Sequence, residues 1–184
     1  MDLIRCKVCG YIMKENKLKD VCPACGVPRT AFEPFKDTIS KKRRTILEIN
    51  LHPISVHFPQ AFTTAIPAFI VLAMAAPPSV GNELLSAAKV LSYFLPLTVL
   101  PAIFFGIVDG KTRFKKITTP LLVQKMITAT VLFILTVILA LVTYSFGTEY
   151  PGNLYLIIIA LGCIACQIVL GEIGKTLMNS KMPG

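Results

Sequence analysis

The sequence contains no tryptophan, only two histidines, and 10 acidic residues against 19 basic ones. It also lacks a glycine-rich phosphate loop, a nucleophile triad and an internal repeat, which argues against P-loop enzymes, triad hydrolases and repeat architectures. The first residues run into cysteines rather than into an apolar segment with a cleavage site, so we expect no secretory signal peptide and a cytoplasmic N-terminal segment. In that reducing compartment, closely spaced cysteines are typical of metal sites rather than of disulfides.

Apolar residues are abundant and are concentrated in one part of the chain. They make up 54% of the 184 positions, and the mean hydropathy is +0.66. The long apolar runs lie in residues 54–174, whereas residues 1–50 hold 11 of the 19 lysines and arginines. This distribution predicts a small polar domain at residues 1–36 and a membrane domain at residues 51–184.

Four apolar segments each approach the roughly 20 residues that a helix needs to cross a bilayer. The sequence therefore predicts an all-α bundle of four transmembrane helices, with spans at about 54–76, 84–108, 118–145 and 154–174. The connection 109–117 carries four basic residues, whereas 77–83 and 146–153 each carry one acid and no base.

This charge distribution predicts the orientation of the spans. Because basic loops stay in the cytoplasm, we expect a multi-pass plasma-membrane protein with both termini and the polar domain on the cytoplasmic side. The same rule accounts for the net charge of +9, so we expect no nucleic-acid partner. Residues 37–50 form a basic linker that mixes isoleucines and a leucine with four consecutive basic residues, and we expect a short helix there on the lipid surface.

The strongest motif in the chain is formed by Cys6, Cys9, Cys22 and Cys25, spaced C-x2-C-x12-C-x2-C. Each C-x2-C pair can fold as a knuckle that points two sulfurs at one ion. A glycine follows each pair and can adopt positive φ. Four thiolates suit a tetrahedral ion, either iron or zinc, and the spacing does not separate these two metals.

The residues around these cysteines, CKVCGYI at 6–12 and CPACGVPRTAFEPF at 22–35, resemble the rubredoxin-like domain of the rubrerythrin type. The resemblance covers residues 4–35 and implies one iron per chain that passes single electrons between its ferric and ferrous states. Because the chain has no tryptophan, the aromatic cover of the metal rests on Tyr11, Phe32 and Phe35, and a structural zinc ribbon stays open as an alternative.

Both histidines lie in HPISVHFP at 52–59. This motif and the four spans resemble a poorly characterised prokaryotic family of four-helix membrane proteins that begin with a similar His-Pro-x-x-Val-His-Phe-Pro. The resemblance covers about residues 50–175. Members of that family often carry another histidine near the start of the third span, but residues 119–128 have none here.

His57 is predicted to lie about one turn inside the membrane, where an ionisable side chain is a functional candidate. We expect it to be an axial ligand of a haem b. His52 points about 140° away on a helix, so the two histidines cannot bind one ion from one face. The second ligand would come from Met126, or from a second copy of the chain in a homodimer.

These features predict a membrane electron-transfer protein, in which a soluble cytoplasmic donor or acceptor exchanges electrons with the iron and the membrane half holds the other redox partner. One alternative is a quinone reductase in which Asp109 or Glu172 supplies protons, with Lys125 near the same interface. A second alternative is a zinc-ribbon adaptor without a redox role. We also expect Pro59 and Pro67 to kink the first span, and Cys163 and Cys166 to serve helix packing.

Overall fold

The computed structural model describes residues 3–36 and 40–178. The predicted linker positions 37–39, and the tail from 179 that carries Lys181, lie outside the described residues. Residues 3–36 form a three-stranded antiparallel sheet of order β2-β1-β3, made of β1 (Leu3–Cys6), β2 (Ile12–Lys14) and β3 (Phe32–Phe35). Ile4 and Leu18 are its buried aliphatic side chains, which is little core for a domain of this size.

The second part of the chain is helical. Its elements are α1 (Lys41–Ile49), α2 (Leu51–Ser55), α3 (His57–Ala75), α4 (Pro78–Phe114), α5 (Pro120–Phe146) and α6 (Gly152–Met178). Within the described residues, four helical segments are long and apolar enough to cross a membrane. The fold class predicted from the sequence, a small strand domain followed by four apolar helices, is confirmed.

The helix ends differ from the predicted spans at both ends of α4, which already begins at Pro78 within the predicted loop 77–83, and at the start of α3. Helix α4 continues to Phe114, so residues 109–114 are helical rather than part of a loop. Helix α3 begins at His57, which puts Pro59 in its first turn, where backbone N–H groups have no intrahelical partner. Helix α2 ends at Ser55, four residues before Pro59, so the helical chain is interrupted next to this proline, whereas Pro67 lies inside α3. The kinks expected at both prolines stay predictions.

The four long helices form a ring in which α3 contacts α4 and α6, and α5 contacts the same two helices. Their shared core consists of aliphatic side chains with at most 1% exposure, namely Ile66, Ile70, Ala88, Leu95, Val99, Leu139, Leu156 and Ala160. Large apolar side chains also cover the outside of the bundle, among them Leu72, Phe94 and Phe104. An outer surface of that kind is expected where lipid, rather than water, surrounds the helices.

Four buried hydroxyl groups inside the bundle are satisfied within their own helices. Thr63, Ser92, Thr136 and Thr143 are at most 1% exposed. Each donates to a backbone carbonyl three or four residues earlier, at 2.6 to 2.8 Å. In an apolar medium an unpaired hydroxyl would be costly, so these bonds let polar side chains occupy the interior.

The linker helix α1 is attached to the end of α4. Nε and Nη2 of Arg43 donate to the carbonyl oxygen of Thr112 at 3.0 and 2.7 Å, and Nη2 also reaches the carbonyl of Arg113 at 3.3 Å. Carbonyls in the last turn of a helix lack intrahelical donors and carry partial negative charge. The guanidinium therefore satisfies the C-terminal end of α4 and fixes where the linker helix lies.

Candidate metal centre and bundle cavity

Two matching backbone turns hold the four cysteines of the N-terminal domain. In the first, the N–H of Cys6 donates to the carbonyl of Tyr11 and the N–H of Gly10 donates to that of Cys6. In the second, Cys22 donates to Val27, and Gly26 donates to Cys22. Gly10 and Gly26 have φ of 75° and 76°, a region that side chains with a Cβ rarely adopt. The predicted knuckles are therefore present, and their glycines are required by the backbone.

The four sulfur atoms converge on one point. All four lie within 4.8 Å of one another, and the Cys6–Cys25 and Cys9–Cys22 Sγ pairs are each 3.8 Å apart. A tetrahedral ion with metal–sulfur bonds of about 2.3 Å places its ligands about 3.8 Å apart. The donor set and its spacing therefore fit one tetrahedral metal ion, as the sequence predicts.

The pKa values of these thiols also indicate a bound cation. The backbone N–H of Cys9 lowers the pKa of Cys6 to about 7. The N–H of Val27 acts in the same direction on Cys25, but desolvation and the neighbouring sulfurs outweigh it and raise the pKa of Cys25 to about 12. Four thiols this close cannot all ionise unaided, so a bound metal supplies the charge that makes them all ligands.

Comparison with known protein families bears on this domain. Residues 5–33 match the family described as the rubredoxin-like domain of rubrerythrin. The N-terminal domain is rubredoxin-like. It therefore binds a metal, iron or zinc, through its four cysteines. Searches among curated proteins and among solved structures give no significant match. The match ends at residue 33, so the resemblance based on HPISVHFP stays a prediction.

A second site lies in the helical bundle, outside the rubredoxin-like domain. A cavity of about 430 Å3 opens between α2, the start of α3, the C-terminal half of α4, the first half of α5 and the second half of α6. Most of its lining is apolar, and its ionisable residues are His52, Asp109, Arg113 and Lys125. A volume of this size is in the range of small-molecule sites. The cavity is therefore the best candidate for a ligand site in the membrane half.

A hydrogen-bonded chain fixes the imidazole of His52 in this cavity. Its Nδ1 lies 3.1 Å from the carbonyl oxygen of Ala102, and its Nε2 lies 3.2 Å from Nζ of Lys125. A carbonyl oxygen only accepts, so Nδ1 carries the proton and Nε2 accepts from the lysine ammonium. His52 is therefore held as one tautomer, and Lys125 is held against it.

Glycine makes this arrangement sterically feasible. A Cβ atom on Gly106 would lie 3.0 Å from Cε1 and 3.1 Å from Nδ1 of His52. A Cβ atom on Gly171, which lines the same cavity, would meet no other atom within 4 Å. The first glycine lets the imidazole approach α4, and the second leaves open space in the cavity.

The membrane candidates predicted from the sequence divide into two groups. His52, Met126 and Asp109 line the cavity, and Asp109 pairs with Arg113 at 3.4 Å. His57 is exposed at the start of α3, and Glu172 is exposed and paired with Lys175. Neither lines the cavity. The structure thus brings three of the five candidates together and leaves two outside.

Gln167 joins α6 to the start of α3 at the inner wall of the cavity. Its Nε2 donates to the carbonyl of Pro59 at 3.2 Å and to Oγ1 of Thr63 at 2.9 Å. Nearby on α6, Cys163 is buried and Cys166 is partly buried. Sequence patterns do not reveal the roles of Gln167, Gly106 or Lys125, because each depends on a partner at least 50 residues away.

Proposed function

We propose that this chain is a membrane-bound electron-transfer protein. In this proposal the rubredoxin-like domain exchanges single electrons with a soluble cytoplasmic protein, and an acceptor in the helical bundle takes them up or releases them. The main support is the closed set of four cysteine ligands in a domain that precedes four apolar helices in the chain. Such a set leaves no coordination position for a substrate, and bound iron supplies one-electron redox chemistry there.

The surface charge of the rubredoxin-like domain indicates the kind of soluble partner. Residues 3–36 contain seven lysines and arginines and three acids. Opposite charge on a partner speeds encounter without requiring tight binding. We therefore expect the soluble donor or acceptor to present an acidic surface around its own redox centre. Covalent attachment to the membrane half raises the effective concentration of the two redox sites.

Haem b and a quinone are the two acceptors considered for the bundle. A haem ligated by His57 would lie on the outer face of α3, where this residue is exposed, and would need a second copy of the chain to cover it. His52 faces the cavity, but both of its ring nitrogens already have partners. The cavity therefore offers more support for the quinone than for haem b.

The test is metal analysis with an absorption spectrum of the full-length protein purified in detergent. We expect one iron per chain, thiolate-to-iron bands, and bleaching of those bands on reduction. Cys22→Ser should lose the metal and the bands, whereas the matched variant Cys166→Ser, on α6, should keep both. Stoichiometric zinc in protein made with ample iron would reject electron transfer and leave the zinc-ribbon adaptor. A Soret band that is present in the unmutated protein and lost in His57→Ala would favour haem b as the acceptor.

A further inference from the structure

The cavity in the bundle combines an apolar body with one charged end. Its ionisable residues come from α2, the last turns of α4 and the start of α5, which meet at the same end of the bundle. Deeper in the bundle the lining includes Val99, Ile103 and Leu132. A ligand that fits must therefore have a polar head and an apolar remainder.

Lys125 is the group in this cavity that is best placed to bind such a head. Within residues 3–36 and 40–178, His52 is the hydrogen-bond partner of its Nζ, so one of its three N–H groups is used and two remain. The imidazole accepts from the ammonium and donates to the Ala102 carbonyl, which fixes where the remaining donors lie. A ligand oxygen would receive a charge-assisted hydrogen bond there.

The neighbouring charges are partly compensated, so a head with an electron-rich oxygen can bind here without carrying a full negative charge. Asp109 lies near enough to both His52 and Lys125 to interact with them electrostatically, and it also pairs with Arg113. Its carboxylate offsets one of the two cations, Lys125 and Arg113, so this end of the cavity keeps one net positive charge. A carbonyl oxygen on an apolar ring can accept a hydrogen bond from Nζ of Lys125 although it carries no full charge.

We propose that this cavity binds the ring of a lipid-soluble quinone, with one quinone carbonyl accepting a hydrogen bond from Lys125. The choice of a quinone over another neutral amphiphile rests on the proposed function, because electron transfer in the bundle needs a membrane-soluble acceptor. His52 is the positioning residue for Lys125, and Gly106 gives the imidazole its space.

The proposal can be tested by photolabelling the full-length protein in nanodiscs of quinone-free phosphatidylcholine. The probe is a short-chain azidoquinone, and decyl-quinone is the unlabelled competitor. We expect saturable labelling of peptides from α2, the start of α5 and the end of α6. Lys125→Met should weaken competition about tenfold, since it removes one charge-assisted hydrogen bond. Lys89→Met is the control, because Lys89 is exposed on α4 and does not line the cavity.

A second pair of variants tests the geometry without changing a charge. Gly106→Ala should also weaken competition, because the added Cβ displaces the His52 ring. Gly162→Ala should have no effect, since its Cβ would lie 3.7 Å from Cδ1 of Leu135, an ordinary contact. Elution of each variant as a single species on gel filtration shows that the bundle is intact.

Three outcomes would overturn the proposal. One is labelling that does not saturate, another is competition unchanged in Lys125→Met, and the third is equal competition by phosphatidylglycerol, which would indicate a lipid-headgroup site. Failure of the proposed function would look different. Cys22→Ser protein, without metal, should still bind the quinone. A zinc-loaded protein that binds the quinone would reject the proposed electron transfer and leave the quinone site standing.

Discussion

Nζ of Lys125 and Nε2 of His52 lie 3.2 Å apart, although 73 positions separate the two residues in the chain. The contact ties the start of α5 to α2, just before the first long helix. The same imidazole reaches the carbonyl of Ala102 on α4, so three helices meet at one side chain. A cationic group in an apolar bundle needs such a partner, because an ion without one is costly to bury.

The coupling between these two residues can be measured by a double-mutant cycle. His52→Ala should lower the free energy of unfolding by about 1–3 kcal/mol, since it leaves the Lys125 ammonium without its acceptor. Once Lys125→Met is present, His52→Ala should cost less, with a coupling energy of about 0.5–3 kcal/mol. Denaturation of the detergent-solubilised protein, followed by circular dichroism, gives these values.

His57→Ala is the matched control for this cycle, because His57 is the other histidine and is exposed at the start of α3. Its effect should stay within about 0.5 kcal/mol, as for most surface substitutions. Additive effects of His52→Ala and Lys125→Met would contradict the contact. A larger loss from His57→Ala than from His52→Ala would show that the two histidines have exchanged roles, with His57 inside the bundle.

The sequence predicted those features that depend on local spacing. The two C-x2-C-G motifs indicate knuckles because each hydrogen-bonded turn is formed by neighbouring residues. The four apolar runs indicate spanning helices because a bilayer sets their length. Local sequence could not show that His52 rather than His57 enters the cavity. The partners of His52, which are Ala102 and Lys125, lie 50 and 73 positions away in the chain, and His52 sits on the separate helix α2 that follows Asn50.

The end of α4 also shows why charge alone misplaces a helix boundary. Basic residues at 111–116 indicate a loop at the membrane surface, yet the helix continues to Phe114 and ends at Lys115, which adopts a left-handed conformation. Arg43 provides donors for the last carbonyls of the helix. The sequence near 109–114 does not indicate this partner, because it lies about 70 positions earlier in the chain.

Gly26→Ala should weaken metal binding about tenfold, because alanine at φ near +76° is strained by roughly 1–2 kcal/mol. Metal binding and folding are coupled in a domain with so small a core, so the strain should appear in the binding constant. Competition with a metal-binding dye gives that constant. Gly26→Asn is the control and should lose less, since asparagine tolerates this conformation better. Equal losses for both variants would mean that side-chain bulk, not φ, is limiting.

Gln167→Leu should destabilise the bundle by roughly 0.5–2 kcal/mol, the range of interhelical hydrogen bonds in membrane proteins. The substitution removes both donors to α3 while keeping an apolar side chain of similar length. Gln124→Leu is the control, because Gln124 is exposed at the start of α5. Unfolding in mixed micelles with increasing dodecyl sulfate measures the difference. Equal stability of the two variants would show that the bridge to Pro59 and Thr63 contributes nothing.

The orientation of the bundle can be tested by inserting reporters into its connections. The end of α4 and the connection after it carry four basic residues at 111–116, whereas the connection after α5 contains Glu149 and no base. Because basic segments are retained in the cytoplasm, a reporter at Lys116 should be active only if it works in the cytoplasm, and one at Gly147 only if it works in the periplasm. The reverse pattern would place the rubredoxin-like domain outside the cell and separate it from cytoplasmic donors. The pattern we expect puts Lys125, His52 and the charged end of the cavity on the same side of the membrane as that domain, since the connection from α4 to α5 and the helix α2 lie at one end of the bundle.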